Sequence, residues 1–266
     1  MQQSSASGRY EKLSTTRKPY LNRARTCASV TIPALFPPEN ITGGNDLPTP
    51  YQSIGSRGVN SLGSKLLLSI LPPNEPFFRM TVSDFDLQEL GQNEARGEVE
   101  DALASIERAV MEEIESKAYR VPTFEVLKQL LVAGNVLAYV TKDKLRVFRL
   151  DRYVVERDPA GNLKELIVKE TVSPFTLDDE LLKELGLDLD KEEDQKDLDV
   201  FTVVKRTRTN YSIHQEVKGF VIEDSKGSYP LDKLPWLPLR LITIDGEDYG
   251  RSYVEEYIGD LISMKV

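Results

Sequence analysis

The segment DGEDYGRSYVEE contains the carboxylates whose spacing comes nearest to a metal site. Asp245, Gly250 and Glu256 fall at positions one, six and twelve, as in a calcium-binding loop. Position five must supply an oxygen ligand but is Tyr249, and a Pro-bounded strand precedes the loop where the calcium motif has a helix. The segment instead predicts a turn at Asp245-Gly246, followed by a helix whose first turn is rich in acids.

A second near-motif is GVNSLGSKL, whose glycines are spaced as in a phosphate-binding loop. Gly58 and Gly63 have the required separation, but Ser64 stands before Lys65 and Leu66 replaces the hydroxyl that would reach Mg²⁺. The segment also lies inside a helical pattern, so we expect no nucleotide site here.

The chain has one histidine and one cysteine, which excludes zinc sites built from several such ligands. His214 lies in the alternating segment SIHQEV and is interpreted as a surface residue of a strand. Cys27 cannot form an intrachain disulfide, which indicates a reducing, intracellular origin. The acids between residues 245 and 260 could hold Mg²⁺ in a nuclease, but no second acidic strand motif accompanies them. We predict no catalytic, metal or cofactor site and no enzymatic activity.

Charge is distributed unevenly along the chain, whose net charge is −9. Residues 1–30 carry six basic side chains against one acid, whereas residues 173–200 carry eleven acids against three lysines. A basic arm can contact phosphate or an acidic partner, or it can be the solvated face of a helix. The candidate phosphate or partner contacts are Arg17, Lys18, Arg23 and Arg25.

Four helices are predicted before the first strand, and apolar residues spaced by three and four mark the second and third of them. The helices cover residues 10–28, 51–71, 99–118 and 123–133. In the second, Ile54, Leu62, Leu66 and Ile70 form the predicted apolar stripe. Its glycines indicate close approach of another backbone, since each destabilises a helix by roughly 1 kcal/mol relative to Ala. The third and fourth helices are expected to share one core with the strands, and Gly134 ends the fourth.

From residue 136 onward, short apolar and alternating segments separated by turn residues predict an antiparallel sheet, so the fold class is α+β. The acidic composition of residues 173–200 predicts a mobile excursion between strands, with too few apolar side chains to pack. From Arg251 a final helix is predicted. Its apolar stripe, Val254, Ile258, Leu261 and Ile262, is expected to stay unburied, and no stop signal follows it.

Several stretches together resemble the head-to-tail connector (portal) proteins of short-tailed bacteriophages of the podovirus, autographivirus type. In chain order they are PYLNRARTCASVTIPALFPP, TPYQSIGSRGVNSLGSKLLLSILPPNEPFFRM, AYRVPTFEVLKQLLVAGNVLAYV, FRLDRYVVERDPAGNL and LPLRLITIDGEDYGRSYVEEYIGDL. The most specific parts are SRGVNSLGSKLLLSILPPNEPFFRM and DGEDYGRSYVEEYIGDL. The resemblance covers nearly all of the chain.

This resemblance implies a non-enzymatic structural subunit of a ring, usually of twelve copies, at one vertex of the capsid. Double-stranded DNA would be pumped through the ring by the terminase and would leave through it at infection. The other implied partners are capsid, scaffolding and tail adaptor proteins, with no membrane and no cofactor. The implied location is the portal vertex of the virion, after assembly in the host cytoplasm.

The resemblance also implies a division of the chain, which we expect to be the N-terminal half of a longer protein. Its parts are a basic arm, helix and Pro/Gly-rich linker (1–50), a helical part of the wing (51–135), a β-rich part of the wing with the acidic excursion (136–250), and the start of a truncated stem-type helix (251–266). The candidate subunit-interface residues are Tyr249, Arg251, Tyr253 and Tyr257. Two alternatives stay open: a metal-dependent nuclease-type enzyme using the 245–260 carboxylates, and a free-standing DNA-binding module using the 9–25 arm.

Overall fold

The computed structural model describes residues 5–38, 46–47, 49–73, 75–82 and 93–264. Helices come first and antiparallel sheets follow, so the predicted α+β class is confirmed. Most of the predicted linker after Pro38 lies outside the described residues. The four-part division of the chain remains a prediction.

Helix α1 (Ala6–Ser29) confirms the first predicted helix and extends it at the N-terminus. The hydroxyl oxygen of Ser5 accepts a hydrogen bond from Gly8 N at 3.3 Å, which satisfies one of the free amides of the first turn. Ala6 N donates to Glu216 Oε1 at 2.8 Å. The start of the helix is therefore fixed to a strand 210 residues away.

The buried side chains of α1 face two different surfaces. Tyr10 and Leu13 pack with Ile167 and Phe201 of a five-stranded sheet, and the Tyr10 and Phe201 ring centroids are 5.5 Å apart. The second half of the helix, from residue 21 onward, enters the main hydrophobic core. One helix thus connects the sheet to the core.

Helix α2 (Ile54–Ile70) forms as predicted, but its predicted apolar stripe is not its buried face. Ile54 and Ile70 are 53% and 47% exposed. Leu62 and Leu66 are partly buried against the main core. The stripe prediction is therefore wrong at both ends, because the smallest residues of α2, and not the largest, face its neighbours.

The buried face of α2 consists of Gly55, Val59 and Gly63. A Cβ atom at Gly55 would lie 2.4 Å from the carbonyl oxygen of Val30, and one at Gly63 would lie 3.1 Å from the Phe124 ring. The predicted close approach of another backbone is confirmed at Gly55, whereas Gly63 faces the ring of a side chain. The absent side chains leave the space into which α2 packs.

Helix α3 (Asn93–Ser116) forms close to its predicted position, but its predicted burial is wrong. Its described apolar side chains belong to none of the buried clusters. Ile106 and Val110 are 47% and 38% exposed, and Leu103 is only half-buried. Periodic spacing establishes that a helix has an apolar face but does not establish which surface covers it.

Helix α4 (Arg120–Ala133) supplies much of the core and ends where predicted. Leu131 and Val132 are buried in the main core. Gly134 has a left-handed φ of +71° and its N–H donates to Leu130 O at 2.8 Å, which is the C-terminal geometry that glycine favours. The next residue is already the first of a strand.

Two antiparallel sheets follow, where the sequence predicted one. The smaller sheet has the order β2-β1-β8 and consists of β1 (Asn135–Val140), β2 (Leu145–Phe148) and β8 (Trp236–Arg240). The larger has the order β3-β4-β5-β6-β7 and consists of β3 (Tyr153–Arg157), β4 (Leu163–Val172), β5 (Leu198–Arg206), β6 (Asn210–Val217) and β7 (Phe220–Pro230). The segment YSIHQEVKGFVIE forms β6 and the start of β7, which are separated at Lys218-Gly219, where φ is +49° and +87°, as in a two-residue hairpin turn.

The acidic segment 173–200 is not the uncovered excursion that its composition predicts. It contains the short helix α5 (Asp179–Glu184). Three of its leucines pack against the apolar cluster at the adjoining ends of β5 and β6. These leucines are Leu177, Leu185 and Leu187. A few spaced leucines attach the segment even though its average hydropathy is low.

The terminal segment forms a 3₁₀ turn (Val254–Tyr257) followed by helix α6 (Ile258–Ser263). Val254 is buried, and Ile258 and Leu261 pack against the main core. The expectation of an unburied stripe is therefore wrong for these three residues and holds for Ile262, which is 46% exposed. Within the described part of the chain, no helix has the length and apolar character needed to span a membrane.

Two glycines bring the end of α4 into direct backbone contact with the terminal segment, a name used from here on for residues 245–264. A Cβ atom at Gly250 would lie 2.8 Å from Gly134 O, and one at Gly134 would lie 2.3 Å from the carbonyl carbon of Arg251. The side chain of Asn135 joins the same segments, since Gly250 N donates to its Oδ1 at 2.7 Å and its Nδ2 donates to Gly250 O at 2.8 Å. We call this the Gly134–Gly250 contact.

Replacing Leu131 by Asp should unfold the protein or leave it barely stable. Leu131 is 3% exposed within the main core, and an unpaired buried carboxylate costs several kcal/mol of a total stability of about 5–15 kcal/mol. Val121→Asp on the same helix is the matched control, because Val121 is 74% exposed. Urea and thermal unfolding followed by circular dichroism measure both variants. Wild-type stability in Leu131→Asp would contradict its placement in the core.

Replacing Gly250 by Ala should destabilise the fold by about 1–3 kcal/mol, the usual range for overpacking. The added Cβ would meet Gly134 O at 2.8 Å and Arg240 Cβ at 2.9 Å. Gly259→Ala provides the control of opposite sign, because nothing lies within 4 Å of a Cβ there and Ala favours a helix by up to about 1 kcal/mol over Gly. Urea unfolding measures both changes, and equal midpoints for the two variants would refute the contact.

Candidate subunit interface

The structure brings together two groups of candidate residues that are far apart in the sequence. The Tyr20 ring of α1 has the Arg23 guanidinium 4.6 Å from its centroid and that of Arg251 5.5 Å away. The Tyr20 hydroxyl donates to Glu247 Oε2 at 2.8 Å. With Glu255, which lies 3.3 Å from Arg23 Nε, these residues form what we call the Tyr20 cluster.

Ion pairs fix the geometry of the Tyr20 cluster. Arg251 donates to both carboxylate oxygens of Glu247, from Nη2 to Oε1 at 2.6 Å and from Nε to Oε2 at 3.1 Å. This two-bonded arrangement lowers the pKa of Glu247 and raises that of Arg251. Burial, reinforced by the bond to Glu247, raises the pKa of Tyr20. The cluster therefore holds fixed charges and clamps α1 to the terminal segment.

Tyr249 was predicted from the sequence as an interface residue, and the structure corrects this. Its side chain is fully buried, its ring centroid lies 5.1 Å from that of Tyr20, and its hydroxyl oxygen accepts a hydrogen bond from Val155 N at 3.0 Å. Burial raises the pKa of this phenol far above its ordinary value. Tyr249 thus joins the terminal segment to β3 and presents no surface to a partner.

Arg157 is a structural residue that sequence reasoning missed. Its backbone N–H donates to Asp248 Oδ1 at 2.7 Å, and its guanidinium donates to the carbonyl oxygens of Asp248, Gly161 and Pro238 at 2.7–3.0 Å. Burial lowers the pKa of this guanidinium. The sequence around it, RDPAG, indicates only a turn. Neither Arg157 nor Asn135 carries a pattern that would have revealed its role.

Tyr253 and Tyr257 remain on the surface as candidates. They are 40% and 46% exposed, their ring centroids lie 5.2 Å apart, and their hydroxyl oxygens are 3.3 Å apart. Ile262 and Met264 on the following turns are also exposed, at 46% and 42%. Tyrosine is enriched among residues that dominate binding energy at protein interfaces, so this surface is suited to a protein partner.

The basic residues of the N-terminal arm do not form one surface. Arg17 is buried, and its Nη1 donates to Tyr10 OH and to two backbone carbonyls of β3 and the turn before it. Arg17 is therefore a structural residue, and the prediction that it contacts phosphate or a partner is wrong. Lys18 is exposed and Arg25 is half-buried. Arg23 belongs to the Tyr20 cluster.

Three of the carboxylates proposed for metal chemistry, Glu247, Asp248 and Glu255, are already engaged by protein groups. Glu247 is paired with Arg251, and Asp248 accepts from Arg157 N. Asp245 lies in a turn with Gly246, whose φ is +76°, so that predicted turn is confirmed. Among the residues that the structure describes, no three His, Cys, Asp or Glu side chains are grouped for a metal ion.

Comparison with known proteins identifies the family. The family model for the bacteriophage head to tail connecting protein matches residues 3–266. The chain belongs to this family. It is similar to the portal protein of Escherichia phage T7, with 38% identity over 96% of this chain and 49% of that protein. It is also similar to the portal protein of Enterobacteria phage T3, with 37% identity over 98% of this chain and 50% of that protein. The portal protein of Enterobacteria phage SP6 has 30% identity over 95% of this chain and 49% of that protein.

The resemblance seen in the sequence is thereby confirmed for this connector family. The chain spans about half the length of the curated relatives it matches. The match includes both halves of the Tyr20 cluster, since α1 and the terminal segment both fall inside the family model.

Replacing Glu247 by Gln should lower the free energy of unfolding at neutral pH. The variant should also lose less stability than the wild type when the pH is lowered. Because the folded-state pKa of Glu247 is lowered, its ionised form stabilises the fold above its unfolded pKa of about 4.3, and this contribution disappears as pH falls through the lower folded value. The difference between wild type and variant should thus shrink between about pH 5 and pH 3. Urea unfolding across this range, with the exposed Glu256→Gln as control, measures it. A pH-independent difference would contradict the assignment.

Proposed function

We propose that this chain is the N-terminal wing part of a phage portal subunit, which assembles into the ring that DNA enters and leaves. The observation that carries the proposal is the match of nearly the whole chain to the head-to-tail connecting family. The relatives of known name, from phages T7, T3, SP6 and phiKMV, are all portal proteins.

In this role the chain is a structural protein without enzymatic activity or cofactor. Its partners are further copies of itself, capsid and scaffolding proteins, the terminase, tail adaptor proteins and double-stranded DNA in the channel. It resides at the portal vertex of the virion after assembly in the host cytoplasm. The engagement of Glu247, Asp248 and Glu255 by arginines and backbone groups is consistent with a structural use of these acids.

The exposed tyrosine pair is the proposed subunit contact near the end of this chain. Arg251 lies two residues before Tyr253 and is held by Glu247, and Val254 is buried in the main core, so the segment that presents the pair is anchored on both sides of Tyr253. A preorganised aromatic surface loses less conformational entropy on binding. Lys18 and Arg25 remain the proposed contacts of the basic arm with phosphate or with a partner.

The alternative of a free-standing DNA-binding module has less support. A DNA-binding arm needs cations that are free to reach phosphates. Arg17 is buried among protein acceptors, and Arg9 donates to Glu165 and Glu156. The helix that carries these residues packs on the larger sheet along its first half.

A chimera tests the proposed function directly. Residues 1–266 replace the matched half of the T7 portal protein, and the fusion is supplied to T7 phage that lacks its own portal gene. We expect plaques, and we expect the purified fusion to match the unmodified T7 portal protein in particle size and shape by light scattering and negative-stain microscopy. A fusion that unfolds cooperatively yet stays monomeric and yields no plaques would overturn the proposal.

A DNA-binding measurement on the chain alone distinguishes the connector role from the free-standing DNA-binding module. Fluorescence anisotropy with a double-stranded oligonucleotide should show no specific complex at about 150 mM salt, because few arm cations are free. Tight binding that falls steeply with salt and is lost in Lys18→Ala would favour the DNA-binding module.

A further inference from the structure

Helix α3 presents an apolar surface that nothing in the described part of the chain covers. Ile106 and Val110 are 47% and 38% exposed, and Phe77 and Met80 from the segment before the helix are each 39% exposed. A groove of about 820 Å³ lies between that segment and the N-terminal half of α3. We call these four residues the α3 patch. Phe77 and Met80 line this groove, and exposed apolar side chains of this size mark interaction surfaces in soluble proteins.

Strong negative charge surrounds the α3 patch. Residues 93–116 contain eight acids and two arginines, a net charge of −6, and two of these acids, Glu113 and Glu115, pair with Lys117 and Arg120. Glu112 and Glu113 are exposed beside Val110. A partner for this surface therefore has to combine apolar side chains with positive charge.

The outward face of α2 has these complementary properties. From residue 54 to 70 the chain contains no acid and two bases, Arg57 and Lys65, both exposed. Leu68 is 56% exposed on the same face, since spacings of four, four and three place Arg57, Ser61, Lys65 and Leu68 in one row.

Gly58 adds a steric reason for a close partner at this face. It is exposed in the middle of α2, and a Cβ atom there would meet nothing within 4 Å. Unlike Gly55 and Gly63, it has no neighbour among the described residues of the same subunit that requires its small size. Together with Ser61 and Ser64 it leaves a shallow row on which another helix can lie close to the backbone.

We propose that α2 of one copy of this chain docks against the α3 patch of a second copy. The inference rests on the proposed function, in which copies associate, and it specifies the surfaces they use. Like faces repel, because α3 against α3 opposes two charges of −6 and α2 against α2 opposes two positive faces. The two complementary faces lie on different elements, so the contact is head-to-tail, the type of interface that generates rings or filaments.

Crosslinking between two single-site variants tests the orientation. Ser61→Cys on α2 and Ala109→Cys on α3 both place a thiol on an exposed face, while the native Cys27 is fully buried. With a short bismaleimide, a mixture of the two variants should give crosslinked dimers, and each variant alone should give several-fold fewer. Equal yields in the single-variant samples would overturn the head-to-tail contact, and absence of crosslinks at high concentration would overturn the contact itself.

Charge reversal supplies a test by rescue. Arg57→Glu with Lys65→Glu should weaken self-association in sedimentation velocity about tenfold, the equivalent of about 1.4 kcal/mol. Mixing that variant with Glu112→Lys/Glu113→Lys should restore association. The matched control reverses two exposed lysines elsewhere, Lys12→Glu with Lys196→Glu, and should leave association unchanged. Equal weakening by the control, or failure of the rescue, would refute the proposed pairing.

Gly58→Ala separates docking from stability. In one subunit the added Cβ has free space and Ala favours the helix, so the variant should resist urea better than wild type. It should nevertheless crosslink several-fold less, because the helices are held apart. Undiminished crosslinking would contradict close approach at α2.

The chimera and the docking tests have distinguishable failures. If the T7 chimera complements but the docking tests fail, the proposed surface is wrong and the connector role stands. If crosslinks form but the chimera does not complement, the chain associates with itself outside that role.

Discussion

Backbone contact between Gly134 and Gly250 is the constraint on which the rest of the fold depends. It requires that neither residue has a side chain, because a Cβ on either would lie within 3 Å of the opposite backbone. Gly134 O also accepts from Leu241 N at 3.0 Å. The end of α4, the start of β1, the residue after β8 and the terminal segment therefore meet at one point, and Asn135 supplies the hydrogen bonds that a side-chain-free junction lacks.

The residues on either side of Gly250 use this fixed point for opposite purposes. Tyr249 turns inward and bonds to the backbone of β3, whereas Arg251 extends over the Tyr20 ring toward Glu247. The exposed Tyr253 and Tyr257 follow directly. The proposed subunit contact thus lies on a segment whose backbone is held by the core, so that the geometry of this surface follows from the packing behind it.

Local pattern predicted the helices, most strands and the ends marked by glycine, but it did not predict what each face meets. The apolar spacing of α3 was read correctly and its burial was not, since spacing carries no information on the partner surface. In α2 the glycines gave a better prediction of the buried face than the isoleucines. Arg17 and Tyr249 were assigned to the surface by residue type, and tertiary hydrogen bonds place both inside. Arg157 and Asn135 had no local signal, because the partners that define their roles, Pro238 and Gly250, are 81 and 115 residues distant.

The union of the first helix with the last segment has a consequence for biosynthesis. Tyr20 and Glu247 are 227 residues apart, and at about 5–20 residues per second the ribosome needs on the order of 10–45 s to bridge that interval. During this time α1 can pack on α4, β3 and β4 as they emerge, but the part of its surface that the segment around Glu247 and Tyr249 covers stays exposed. Such long-range closure slows folding. The nascent chain therefore passes through a stage at which part of the apolar surface of α1 is uncovered, and that part is covered only after the segment around Glu247 and Arg251 has left the exit tunnel.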